Sequence, residues 1–63
     1  MKTIIDIRQL LKGFGAFIYT GDKIADLELM EDEIRELYRS GVLDATVFQS
    51  AMIILRQELS KLR

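Results

Sequence analysis

Apolar side chains return every three or four residues along almost the whole chain, and glycine and aspartate interrupt that rhythm at only two places. This period is that of a helix lying on a core, and it leaves a chain of this length little choice but an all-α fold. Ile4, Ile7, Leu11 and Phe14 form the first stripe, predicting helix 1 over about 4 to 12, with Thr3 as N-cap, Asp6 at the capping-box position and Gly13 as the left-handed stop. Asp22 opens helix 2, over about 23 to 40, where Ile24, Leu27, Met30, Ile34, Leu37 and Tyr38 repeat until Gly41. After Val42-Leu43, Asp44 caps helix 3, whose stripe is Phe48, Ala51, Met52, Leu55, Leu59 and Leu62. So short a joint predicts an antiparallel hairpin of helices 2 and 3. The expected architecture is a compact three-helix bundle, one domain over 1–63, with a Gly/aromatic connector between helix 1 and the hairpin.

The 63 residues include no cysteine, histidine, proline or tryptophan. No disulfide or Cys/His metal site can staple the fold, so stability must come from packing or self-association. The same absence removes the usual zinc sites, thiol nucleophiles, iron–sulfur clusters and imidazole acid/base chemistry. What remains, carboxylates, lysines, Tyr19 and Tyr38, shows no spacing of nucleophile, base and orienting group, so the sequence points away from an enzyme and calls for no cofactor and no metal. The longest apolar run, Ala51 to Leu55, is five residues, against about 20 for a membrane span. With no signal-peptide core after Met1-Lys2, a soluble, cytoplasmic protein with no membrane partner is expected.

Charge is segregated: 1 to 23 carry +2, 24 to 44 carry −5 and 45 to 63 carry +2, for a total of −1. Helix 2 is therefore an acidic rod between two mildly basic segments, unlike a generally basic nucleic-acid coat. Its Glu28, Asp32 and Glu36 fall on one stripe, partly balanced by Glu31 with Arg35 and Glu36 with Arg39. A solvated face is the expected reading of that stripe, against a surface for a basic partner or a divalent-cation site, which would need further oxygen ligands from another element.

The connector, Gly13 to Gly21, holds the most suggestive run. Lys12-Gly13-Phe14-Gly15-Ala16-Phe17-Ile18-Tyr19 approaches the RNA-recognition-motif signature, yet Ala16 stands where a stacking aromatic belongs and Phe17 where an aliphatic belongs. That signature also sits on a four-stranded sheet, for which a helical chain has no room. The ingredients of single-strand binding nonetheless remain. Arg8, Lys12 and Lys23 offer at most three phosphate contacts, and Phe14, Phe17 and Tyr19 offer faces on which unpaired bases stack. The competing use of these aromatics is to plug the open end of the bundle. Projection at 100° per residue also leaves Ile5, Leu29 and Ile53 off the core side. As a common patch they would suit a homo-oligomer or a protein partner.

The order Leu10-Leu11, Phe14-Gly15, Ile18-Tyr19, Gly21-Asp22, Asp26-Leu27-Glu28-Leu29-Met30, Glu33, Leu37-Tyr38, Gly41, Ala51, Ile54-Leu55 and Glu58 resembles the YqgQ-like family of small bacterial proteins over essentially the whole chain. The resemblance implies an all-helical, cytosolic three-helix protein with no assigned enzymatic activity, and single-stranded nucleic-acid binding has been suggested for that family on structural grounds. Leu37 to Asp44 with Val47-Phe48 is also similar to the helical hairpin of SHOCT-type oligomerisation modules. Two functions are therefore expected to compete: weak single-stranded nucleic-acid binding through Lys12 to Lys23, and a helical interaction or homo-oligomerisation module. The expected core is Ile7, Leu11, Phe14, Leu27, Ile34, Leu37, Tyr38, Phe48, Met52, Leu55 and Leu59, with Met30 as core filler.

Overall fold

The two breaks in the apolar rhythm become the two joints of the fold. The computed structural model describes residues 1–62, which form α1 (Ile4–Gly13), α2 (Lys23–Arg39) and α3 (Ala45–Leu62), with no strand among them. No helix among the described residues is long and apolar enough to cross a membrane. The Cα radius of gyration is 10.8 Å. A compact chain of this length should have about 10.6 Å.

Helix starts follow the acids. Asp22 Oδ1 accepts hydrogen bonds from the backbone N–H of Ile24 at 3.0 Å and Ala25 at 3.4 Å, and Asp44 Oδ1 accepts from Val47 N–H at 2.8 Å. These carboxylates satisfy donors that the first helical turn leaves unpaired. At α1 the carboxylate of Asp6 accepts from the N–H groups of Lys2 at 2.7 Å and Thr3 at 3.0 Å, which hold its pKa below the ordinary 3.8.

Helix ends follow one pattern used twice, and here the sequence reading needs correction. Gly13 lies inside α1, and the left-handed residue is Gly15, with φ +83°. Gly15 N–H bonds Lys12 C=O at 3.0 Å and Ala16 N–H bonds Leu11 C=O at 2.9 Å. After α2, Gly41 repeats the geometry at φ +83°, with Gly41 N–H on Tyr38 C=O at 3.0 Å and Val42 N–H on Leu37 C=O at 2.9 Å. Both are Schellman motifs, in which a residue without Cβ takes the left-handed position cheaply.

α2 and α3 pack most extensively, and α1 lies against both. Ile7, Leu11, Met30, Ile34 and Leu55 are the largest side chains wholly removed from water, joined by Leu27, Leu43, Ala51, Met52, Ile54 and Leu59. Each buried Leu or Ile contributes about 1.5–3 kcal/mol of transfer free energy. Leu37 and Phe48 are half-buried against this core. Two expected members are not in it. Phe14 is the C-cap of α1, so its side chain leaves the helical projection and stays 50% exposed. Tyr38 lies 42% exposed and stacks on Phe48, ring centroids 4.3 Å apart and planes 16° apart, outside the core.

Candidate nucleic-acid interface

Ile5, Arg8 and Lys12 are spaced three and four residues apart, which puts them on one face of α1. Gln9 stands beside them on the same wall. The connector returns past this face, and Ala16, Phe17, Ile18 and Tyr19 make the opposite wall of a cleft of about 420 Å³, with Leu11 and Met30 at its floor. Phe17 is 74% exposed and Tyr19 85%. The aromatics of the connector therefore do not plug the bundle.

A short polar network holds this wall in place. Asp26, on α2, is 3% exposed and is the buried charged residue of the described chain. Its Oδ1 accepts from Thr20 N–H at 2.7 Å and from the Thr20 hydroxyl at 2.6 Å. The same hydroxyl accepts from Asp22 N–H at 3.2 Å, so one threonine ties the connector to both Asp22 and Asp26. From α1, Arg8 Nη1 donates to Ile18 C=O at 3.0 Å, and Nη2 lies 3.8 Å from Asp26 Oδ2. The two Thr20 hydrogen bonds, then the Arg8 charge, hold the Asp26 carboxyl below its ordinary 3.8 against the opposing effect of burial. A buried carboxylate is tolerable because it is hydrogen-bonded and faces a cation.

Of the residues singled out from sequence, the structure gathers Arg8, Lys12, Phe17 and Tyr19 around one cleft and adds Ile5 to it. Phe14, at the end of α1, and Lys23, at the start of α2, do not line it. Ile5, Leu29 and Ile53 each border a different concavity: the connector cleft, a groove shared with Glu28, Asp32 and Leu59, and a groove with Phe48 and Met52. On the acidic face, Glu31 pairs with Arg35 at 2.6 Å and Glu36 with Arg39 at 3.3 Å, as the spacing predicts. Among the described residues no group of three or more acidic, His or Cys side chains is placed to hold a metal ion.

Sequence reasoning missed Thr20, Asp26 and Gln9. For Asp26 a signal existed: it precedes Met30 and Ile34 at four-residue steps, so it is an acid written into the buried stripe of α2. A carboxylate there demands partners, and Thr20 and Arg8 supply them.

Fold and cleft together define a small all-helical protein that presents an aromatic connector, pinned by polar ties, beside a basic face of its first helix. The YqgQ-like family model matches residues 1–61, and the chain belongs to that family. It is similar to the uncharacterized protein YqgQ of Bacillus subtilis (strain 168), 39% identical over 61 residues that span 97% of this chain and 86% of that protein. The likeness read from Phe14-Gly15, Gly21-Asp22 and Asp26 to Met30 is thereby confirmed, and those stretches include the glycine of the α1 terminus, the cap of α2 and the buried carboxylate.

Proposed function

We propose that this protein is a non-enzymatic module that binds single-stranded nucleic acid weakly through the connector, with Phe17 and Tyr19 stacking on bases and Lys12 and Lys23 contacting phosphate. The observation that carries this reading is that the connector aromatics are exposed while the backbone between them is tied down. Exposed aromatic faces beside lysines suit unpaired bases, each stack being worth about 1–3 kcal/mol. The acidic face of α2 repels phosphate, which confines contact to the connector side and keeps affinity low. Arg8 is occupied by Ile18 C=O and Asp26, so it supports the wall rather than the phosphate chain.

Fluorescence anisotropy with short single-stranded oligonucleotides over a salt series tests the proposal. Two phosphate contacts give a log-log slope of about −1.4, and a third from Arg8 would bring it to about −2. Duplex binding as tight as single-strand binding, or no binding at micromolar protein in low salt, sinks it.

A second reading has its own observation. Ile53 on α3 is 58% exposed beside Phe48 and Met52. Self-association through that groove predicts that Ile53→Lys lowers the mass seen by light scattering to 7.3 kDa with helicity retained. A wild-type protein already monomeric at high concentration rules this reading out.

A further inference from the structure

The cleft beside the connector is divided by chemistry along the face of α1. At its floor are Leu11 and Met30, both apolar. Phe17 and Tyr19 line its connector wall. Gln9 places a carboxamide in it that makes no hydrogen bond among the described residues, and Lys12, one turn further along the same helix, has no ion pair there either. Residues three apart on a helix are about 4.5 Å apart along its axis, so the amide and the ammonium address two points of one ligand rather than one. The volume of about 420 Å³ falls in the range of clefts that enclose small molecules.

Resting on the single-strand reading above, we infer that this cleft accepts one adenine nucleotide, its base between Phe17 and Tyr19 with an edge on the Gln9 carboxamide and its phosphate on Lys12. A carboxamide presents one acceptor and one donor side by side. Adenine offers the matching pair, the N6 amino donor and the N7 acceptor. Seated by that same edge, guanine presents two acceptors, O6 and N7, so one of them would face the carboxamide oxygen, and guanine matches the carboxamide only by turning its O6 and N1–H edge inward. A pyrimidine ring covers less of the apolar floor. Because Thr20 and Ile18 are tied to Asp26 and Arg8, one wall stands in place before ligand arrives, and a single nucleotide needs no neighbouring nucleotides to shape it. The connector therefore prefers adenine within a single strand instead of stacking on every base alike.

Isotope-labelled protein is titrated with adenosine, guanosine and uridine monophosphates, each alone, and amide shifts are followed by NMR. Adenosine monophosphate is expected to shift Gln9, Lys12 and Phe17 to Tyr19 with a dissociation constant on the order of 1 mM. It should bind roughly 5-fold or more tighter than uridine monophosphate. Gln9→Ala, a change at an exposed position, should erase the preference and leave the helical spectrum unchanged. Equal affinity for the three nucleotides, shifts confined to other surfaces, or an unaltered preference in Gln9→Ala overturns the inference. If oligonucleotides bind while no mononucleotide does, this inference fails and the single-strand reading stands; if neither binds, both fail.

Discussion

The α2/α3 hairpin and the segment from Arg8 to Asp26 are ordered by different means. The hairpin is held by a continuous apolar seam running from Leu27 to Ile34 on one helix and from Ala51 to Leu59 on the other. The connector buries no side chain fully; Ala16 and Ile18 pack partly against the core, and hydrogen bonds tie Ile18 to Arg8 and Thr20 to Asp26 and Asp22. Area burial is shared by many residues and holds the whole molecule, so losing one buried side chain is felt globally; the point ties are few, and losing one is felt in the connector alone. The lesson is that aromatic side chains can be left open to solvent while the backbone between them is held by a few polar ties and by the partial burial of Ala16 and Ile18.

The largest expected effect lies in the seam. Leu55→Ala removes a side chain with no exposure and should cost about 2–5 kcal/mol, read as a large fall in the thermal midpoint by circular dichroism. Wild-type melting would show that Leu55 is not part of what holds the hairpin.

The two left-handed glycines sharpen the comparison, since they share one geometry in different surroundings. A Cβ at either would meet open space, so the cost of alanine is the backbone conformation alone, about 1–2 kcal/mol. Gly41→Ala should lower the stability of the whole molecule by that amount, because Gly41 closes the hairpin. Gly15→Ala should show part of its cost as faster amide exchange between Ala16 and Thr20. Equal exchange profiles in the two variants would mean the connector and hairpin open as one unit.

Acid should part the two regions next. Asp26 titrates lower in the folded chain than in the unfolded one, so its contribution to stability is fully present above 3.8 and is lost as pH falls through the depressed folded value. Amide exchange at Thr20 should quicken below that point while the α2/α3 amides stay protected. Asp26→Asn should reproduce this at neutral pH, and a Thr20 amide that stays protected in the variant would break the assignment of the tie. Asp6, also depressed, titrates in the same direction at the start of α1, so exchange must be read residue by residue.

Smallest of all on stability is Tyr19→Ala. At this exposed position the change should lie within about 0.5 kcal/mol of wild type. Its effect belongs to binding: weaker association with single strands and a nearly unchanged salt slope. A variant that binds as wild type would take Tyr19 out of the interface.

The helices were legible because burial in a small bundle imposes a period on the sequence, and Ile7, Leu11, Ile34, Leu55 and Leu59 sit where that period puts them. Legibility failed where geometry departs from an infinite helix. Lys12-Gly13-Phe14-Gly15 contains two glycines two residues apart, either able to end α1, and only the Ala16 and Gly15 hydrogen bonds decide for the second. Phe14 and Tyr38 carry the right spacing but sit at helix ends, where Phe14 stays half exposed and Tyr38 meets only the rim of α3 at Phe48. Leu43 is the reverse case, an apolar residue of the joint that the core reclaims. The lysines and aromatics of the connector were visible as residue types, whereas the tie that positions them joins Arg8, Thr20 and Asp26 across three segments, and no local spacing announces such a meeting.

The stack of Tyr38 on Phe48 has a practical consequence. With no tryptophan and only two tyrosines, optical activity in the tyrosine band and phenol emission come from one chromophore in each region. Tyr38 sits in a fixed, asymmetric contact on the hairpin, and Tyr19 projects into water from the connector. Circular dichroism in the tyrosine band therefore tracks the hairpin, and quenching of exposed tyrosine emission tracks the connector, so the protein reports on its two halves separately without any added label.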